Sequence, residues 1–432
     1  MRLAYWNGAL WAIGSGLASS QLVVYLAMAF DAPQIGLGIG LLLAAPHLVG
    51  VLRLAAPALI GRLGGRKRFL IAAYVASGVV LAALPAAAAP GRLPSAGASL
   101  AALVGLWCAY HLLEYLGTVA LWSWLADLVP PAVRGRFFGR RERWMAFGQA
   151  AAMLGGAWLL AAWRRSRPDE PPWIGYSVAA ALGAAFVLAA VIPLVWMPDR
   201  TTRQARGAAV TIGQWLAPWR DRRLWGLLCF QCWISFFNGL AQAPQNYYQD
   251  KVLELSLPVM LCLRVALRWG QWAVAPGVGR AADRAGNRPV IAASLLVIAQ
   301  GPLFYALATP QQPWWITGAW GCWIAWVGLN VGLPNLLLGL SPRRADTPYI
   351  AVWLATAGLC HGLSTVWGGS LLDHYRGQTF AWLGGTLGYC QAAFLLVWIM
   401  ESLGVLVLLW LVREPPVAAR MAAAGPPDAP RS

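Results

Sequence analysis

The sequence predicts an all-α polytopic membrane protein whose twelve transmembrane helices form two six-helix bundles, and three observations carry that reading. Hydrophobic residues fill 59% of the 432 positions, charged residues only 11%, and mean hydropathy is +0.57. A soluble domain is roughly a quarter charged and somewhat under half apolar, so a soluble enzyme is excluded. The apolar residues also fall into stretches of about 20 residues, the length a helix needs to cross a ~30 Å hydrocarbon core. Finally, the longest polar stretch before the C-terminus, roughly 198–223, divides these stretches six and six.

In the first half the spans run approximately over 5–30, 34–60, 69–89, 98–127, 144–163 and 174–197. In the second half they run over 224–248, 253–276, 290–308, 314–340, 348–372 and 386–412. The implied organisation is an N-terminal six-helix bundle over 1–199, a central cytoplasmic loop over 200–223, a C-terminal bundle over 224–413, and a tail over 414–432. The tail is rich in Ala and Pro and is expected to be disordered. Span 1 ends in Ala27-Met-Ala29, which fits a signal-peptidase site. Its apolar run is too long for a signal peptide, however, and it reads as uncleaved.

Net charge is +17, from 33 Lys and Arg against 16 Asp and Glu. In a soluble chain that excess would raise the question of nucleic acid. Here no such partner is needed, because basic residues collect in cytoplasmic loops of membrane proteins. With the N-terminus inside, 24 basic residues fall on the inner side and only six outside: Arg92, Arg164, Arg165, Arg167, Lys251 and Arg376. The other three, Arg53, Arg264 and Arg268, lie within spans. This places both termini in the cytoplasm and the chain in a bacterial-type inner membrane. The seven cysteines, including the Cys229/Cys232 pair, lie in apolar stretches and read as small packing residues.

The segment after span 8 reads Gly279-Arg-Ala-Ala-Asp283-Arg284-Ala-Gly286-Asn-Arg288. It resembles the GxxxDRxGxR signature of the major facilitator superfamily. A degenerate copy, Gly61-Arg-Leu-Gly-Gly-Arg66-Lys67, sits after span 2, about 222 residues earlier. Asp127-Leu-Val-Pro130 followed by Arg134-Gly-Arg136 is similar to the family's loop between spans 4 and 5. The resemblance covers nearly the whole chain and implies a transporter whose two bundles rock around a midplane site, with spans 1, 4, 7 and 10 lining the cavity. It further implies a cytoplasmic gate built on Gly279, Asp283, Arg284, Gly286, Arg288, Asp127 and Arg134. Asp283, in a short turn, would dock at the N-terminus of span 5 near Arg143 and Trp144, where the helix dipole favours an anion. The alternative is an aspartate that only solubilises its turn. In the first copy Gly61 replaces the signature aspartate, and span 4 lacks the arginine of proton-coupled drug exporters, so that class of antiporter is disfavoured.

Several spans carry polar residues. In span 7, Gln231, Ser235, Asn238, Gln242 and Gln245 are spaced 4, 3, 4 and 3, so they share one helical face. A stripe of amides facing lipid is costly, and a hydrated cavity accounts for five of them better than helix–helix contacts do. Span 4 carries His111, Glu114, Tyr115, Thr118 and Trp122. A carboxyl in hydrocarbon is costly to ionise and can take up a proton and release it as its surroundings hydrate, so Glu114 and His111 are candidates for proton coupling. The rival is an ion pair of Glu114 with His111 or Arg53. In span 8, Arg264, Arg268 and Gln271 share a face, and paired guanidinium forks suit phosphate or carboxylate. The rival there is a pair of arginines bound to Glu114, Glu401 and backbone carbonyls. Trp323 and Asn330 on span 10 fall on the expected cavity side, where aromatic walls suit a sugar or a flat organic solute. Glu401 in span 12 has no role that the pattern explains, and His361 in span 11 reads as a core histidine.

The expected substrate cavity is therefore lined by Gln231, Ser235, Asn238, Gln242, Arg264, Arg268, Trp323, Asn330, Tyr115 and Thr118. The resulting reading is a secondary transporter of a small polar organic solute, neutral or anionic, driven by a proton. Two rivals remain within this class and outside it. One is a uniporter or exchanger for a sugar-like solute with Glu114 structural, and the other a membrane-embedded transferase or a non-transporting receptor of the same fold. The outer loops are too short for the catalytic acids such a transferase needs, and no phosphate-binding loop supports ATP-driven pumping. The implied partners are a small molecule, a proton and the bilayer, with no cofactor, metal or nucleic acid, and a monomer is expected.

Overall fold

The computed structural model describes residues 2–30, 32–56, 59–60, 65–87, 89, 91–128, 134–198, 218–340, 346–382, 385–412 and 414. Among these, ten helical stretches are long and apolar enough to cross a membrane. The two further expected spans are also helices, Leu257–Ala285 of 29 residues and Asp346–Tyr375 of 30. Arg264, Arg268 and Gln271 in the first, and His361, Ser364 and Thr365 in the second, make them more polar than the rest. Span 8 and span 11 are thus the spans in which burial in hydrocarbon alone does not account for the sequence.

Contacts group the chain into two compact units. The first comprises Met1–Ala209, Gln242–Val265 and Gly362–Arg376; the second comprises Val210–Ala241, Ala266–His361 and Gly377–Ser432. The first unit is packed around Leu70, Tyr74, Ala120, Leu121, Trp124 and Leu194. The second is packed around Leu227, Phe230, Ile291, Leu295, Leu329 and Leu408.

Where a helix breaks inside a unit, a neighbour satisfies the freed backbone groups, as hydrocarbon requires. Span 1 consists of Arg2–Leu17 and Ser20–Met28, and the Ser19 hydroxyl accepts from the Leu22 N–H at the start of the second piece. Span 6 breaks between Pro172–Ala189 and Val191–Trp196, and the Ala190 carbonyl there accepts from buried Asn7 at 2.9 Å. The two units repeat one device. Lys67, at the start of span 3, donates to the carbonyls of Val195 and Met197 at the end of span 6, at 2.9 and 2.6 Å. Arg288, at the start of span 9, donates to the Leu409 carbonyl near the end of span 12. A cation at a helix C-terminus meets both the free carbonyls and the negative end of the dipole.

Three local expectations need correction. The helix of span 5 runs from Arg134 to Ser166, so it starts ten residues before the membrane segment rather than near Arg143. Its first ten residues hold five arginines and one glutamate, good helix formers that need no hydrocarbon around them. The signature after span 8 is likewise not a loop, since the helix continues through Asp283 and Arg284 to Ala285. The turn shrinks to Gly286, whose φ of +97° suits only glycine at low cost. Between spans 11 and 12, where no strand was expected, Thr379–Trp382 and Gly385–Gly388 pair as an antiparallel hairpin with Thr379 opposite Gly388.

Candidate functional site

In the first unit, span 4 is one 33-residue helix, Ala96–Leu128, and Glu114 lies near its middle, 6% exposed. Thr118, one turn later, donates to the Glu114 carboxylate at 2.9 Å, and the Tyr74 hydroxyl of span 3 lies 3.0 Å from the Thr118 hydroxyl. Tyr74 is also within electrostatic reach of both Glu114 and Arg141. Arg141 is the surprise of this unit. The charge count assigns it to a cytoplasmic loop, yet it is 4% exposed on the span 5 helix, over the Trp122 ring and against Met145. Opposite it is Gly8 of span 1, where an added Cβ would approach the arginine side chain to about 3.2 Å. A glycine facing an arginine across two helices was the available signal.

His111 does not hold Glu114. Its ring sits edge-on to Trp107 at 4.4 Å, with Tyr110 and Tyr115 at 4.9 and 5.6 Å, and neither ring nitrogen has a hydrogen-bond partner among the described residues. Tyr115 is half-buried beside it. The Arg53 side chain, the other candidate partner, lies outside the described residues, as do those of Asp127, Arg134 and Asp283.

The two span 8 arginines have different surroundings. Arg264 is half-buried and donates to the amide oxygen of Gln21 on span 1 at 2.7 Å, and Gln21, only 1% exposed, faces Gln249 at 3.4 Å. Arg268 is exposed and donates to Gln271 at 3.3 Å. Each of these two contacts is to a neutral amide, which orients the guanidinium.

The span 7 stripe is divided among several contacts. In the second unit Gln231 donates to the Ser235 hydroxyl at 3.0 Å, and the Ser235 carbonyl meets His361 Nδ1 of span 11 at 3.2 Å. Asn238 turns to Glu401 of span 12, with which it is hydrogen-bonded. In the first unit the Gln242 carbonyl accepts from Asn246 at 2.8 Å, and Gln245 is buried. Helix–helix contacts thus engage at least Ser235 and Asn238. Trp323 packs inside the second unit, stacked on Tyr305 at 5.5 Å, whereas Asn330 is exposed.

Two helix-terminal carboxylates complete the polar inventory. Glu414, just past span 12, accepts from the backbone N–H groups of Asn287 and Arg288 at 3.1 and 2.8 Å and from the Asn287 amide at 2.8 Å. This anchors the residues that follow Gly286 in the signature; Gly279 is half-buried and Arg284 exposed on the preceding helix. In the first unit Asp373, at the end of span 11, accepts from Gly36 and Leu37 N–H at 2.8 and 2.7 Å, capping the span 2 helix Ile35–Val49. The sequence reading missed both.

Helices of this number and order, with paired terminal caps and buried polar clusters, define a polytopic membrane protein of the major facilitator fold. Solved structures similar to this chain agree. Nucleoside transporter NupG superposes with a TM-score of 0.68 at 14% identity, over 96% of this chain and all of that one. The inward-open xylose transporter XylE from E. coli gives 0.64 at 15%, over 98% of both chains. A bacterial homologue of the human drug peptide transporters PepT1 and PepT2 gives 0.61 at 12%, over 97% of this chain and 99% of that one. No protein-family model and no curated protein matches the sequence.

Proposed function

We propose that this protein is a secondary active transporter, not an enzyme, which moves a small polar organic solute across a bacterial-type inner membrane by alternating access. The observation that carries the reading is the likeness of fold over essentially the full length of structures titled as nucleoside, xylose and peptide transporters. One of the similar structures is titled a proton symporter. Proton coupling is assigned here to Glu114, the buried carboxylate at mid-span that accepts from the Thr118 hydroxyl, which in turn meets the Tyr74 hydroxyl. Arg264 and Arg268, oriented by neutral amides, supply the positive charge that would favour an anionic solute.

The experiment is a thermal-shift screen of purified protein against sugars, organic acids, phosphorylated metabolites and peptides, followed by uptake of the best ligand into proteoliposomes. A bound ligand raises stability by mass action. Uptake should exceed equilibrium when a pH gradient is imposed. Glu114→Gln should abolish that accumulation and preserve exchange, because the amide keeps the shape and cannot titrate. Accumulation that survives with unaltered pH dependence would move the coupling site elsewhere. The Thr118 and Tyr74 hydrogen bonds favour a second reading, facilitated exchange with Glu114 structural, and in that case no gradient drives accumulation in the parent protein.

A further inference from the structure

Glu401 sits near the middle of the 23-residue span 12 helix, Tyr389–Leu411, roughly 18 Å from one end and 15 Å from the other at about 1.5 Å per residue. It is 2% exposed. The wall around it is apolar: Ile234 and Leu295 close on Gly404 one turn along, and the Trp233 indole is fixed by donating to the Met400 carbonyl at 2.8 Å. One carboxyl oxygen is engaged by Asn238 of span 7. The other, Oε2, is buried with no hydrogen-bond partner among the described residues.

The titratable groups on the elements packed around it do not neutralise it. Span 7 contributes Cys229 and Cys232, with Arg222 at its inner end, and span 9 contributes Tyr305. Arg288 is committed to the Leu409 carbonyl, eight residues or roughly 12 Å along the helix. Span 11, on the neighbouring face of span 7, contributes Cys360, bonded to the Cys232 carbonyl, and His361, bonded to that of Ser235. Span 12 itself adds Tyr389 and Cys390. None of these hydrogen-bonds Glu401. An ionised carboxylate here would leave a charged oxygen without a donor in an apolar wall, whereas the acid keeps the hydrogen bond that its carbonyl oxygen accepts from the Asn238 amide and leaves only a neutral hydroxyl unpaired.

We propose that Glu401 is a proton-binding site of the second unit, which holds its proton while the apolar wall stays closed and surrenders it when movement of span 7 admits water. Asn238 is half-buried and belongs to the polar stripe of span 7, so it links the sealed carboxyl to the face assigned to the cavity. Only the consequence, that protonation biases transport, rests on the transporter reading; the protonation itself does not.

The test is infrared difference spectroscopy of the full chain in liposomes, titrated from acid to alkaline pH. The parent should lose protonated-carboxyl carbonyl intensity on the alkaline side, Glu114→Gln should keep the Glu401 component of that change, and Glu401→Gln should lack that component. A folded Glu401→Gln protein with the parent's full band change overturns the proposal. Asn238→Ala provides a second reading should Glu401→Gln fail to fold. It leaves the acid in place without its hydrogen bond, so the band should move to higher frequency, and an unmoved band overturns the proposal as well. The measurement needs no cargo. A negative uptake screen would therefore count against the transporter reading and leave this assignment standing, and the reverse also holds.

Discussion

At the scale of the residue, the first unit shows how far a charged group in an apolar helix can be read. Glu114 and Thr118 were legible because a carboxylate and a hydroxyl one turn apart stand out in span 4, and the structure joins them at 2.9 Å. Arg141 was not legible, because counting basic residues by loop treats every arginine near a span end as solvated, and only the long span 5 helix shows it buried. The span 8 arginines give the sharpest residue-level test. Arg→Lys keeps the charge and loses the planar fork. If the forks bind an anionic solute, each lysine variant should insert normally and bind that ligand more weakly by about 1–3 kcal/mol, measured by isothermal titration. Arg264→Lys should have the larger effect, because Arg264 is half-buried and aimed by a buried amide, whereas Arg268 is exposed. A melting temperature that falls while affinity is retained would mark the pair as structural instead.

At the scale of the element, the crossing of span 2 and span 11 within the first unit is made by backbone. A Cβ on Gly369 would lie 2.2 Å from the Gly36 carbonyl oxygen, and one on Gly40 would lie 2.7 Å from the Thr365 carbonyl. Such an approach is open only to glycine, and it brings Asp373 onto the two free N–H groups at the start of span 2. Arg376 and Pro33 add a further contact at 3.3 Å. Two expectations follow from this geometry. Gly369→Ala should overpack the crossing and lower stability by about 1–3 kcal/mol, read as a drop in melting temperature. Asp373→Asn should cost about 1 kcal/mol and raise the labelling of an outer-end cysteine by an impermeant maleimide, because the cap loses its charge. Unchanged labelling in a folded Asp373→Asn protein would make the contact an ordinary cap. The sequence showed the span boundaries here but not the cap, because Gly36 and Asp373 are 337 residues apart and neither belongs to a recognisable motif. The same limit hid Glu414, whose three hydrogen bonds depend on where the start of one helix and the end of another meet.

At the scale of the whole molecule, orientation decides which gate is which. The 24-to-6 distribution of basic residues is read by counting alone, because retained cations resist translocation regardless of how the helices pack. The structure adds that two of the six outer cations are locally matched, Arg167 to Glu170 at 3.0 Å and Lys251 to Asp250 at 3.5 Å. Arg167 also lies over the Trp163 ring, as expected for a residue held at the membrane interface. Reporter fusions near Arg206 and after Arg431 should therefore both be fluorescent as cytoplasmic fusions and inactive as phosphatase fusions, while a phosphatase inserted near Asp169 should be active. The assignment reaches beyond the map. With the N-terminus inside, Asp373 caps span 2 on the outer side, and the Gly279–Arg288 signature, with Glu414 behind it, lies on the inner side. A phosphatase active at Arg206 would exchange these roles. Asp373→Asn would then be expected to expose cysteines to reagents from the cytoplasm, and the maleimide experiment run from each side would show the exchange independently of the fusions.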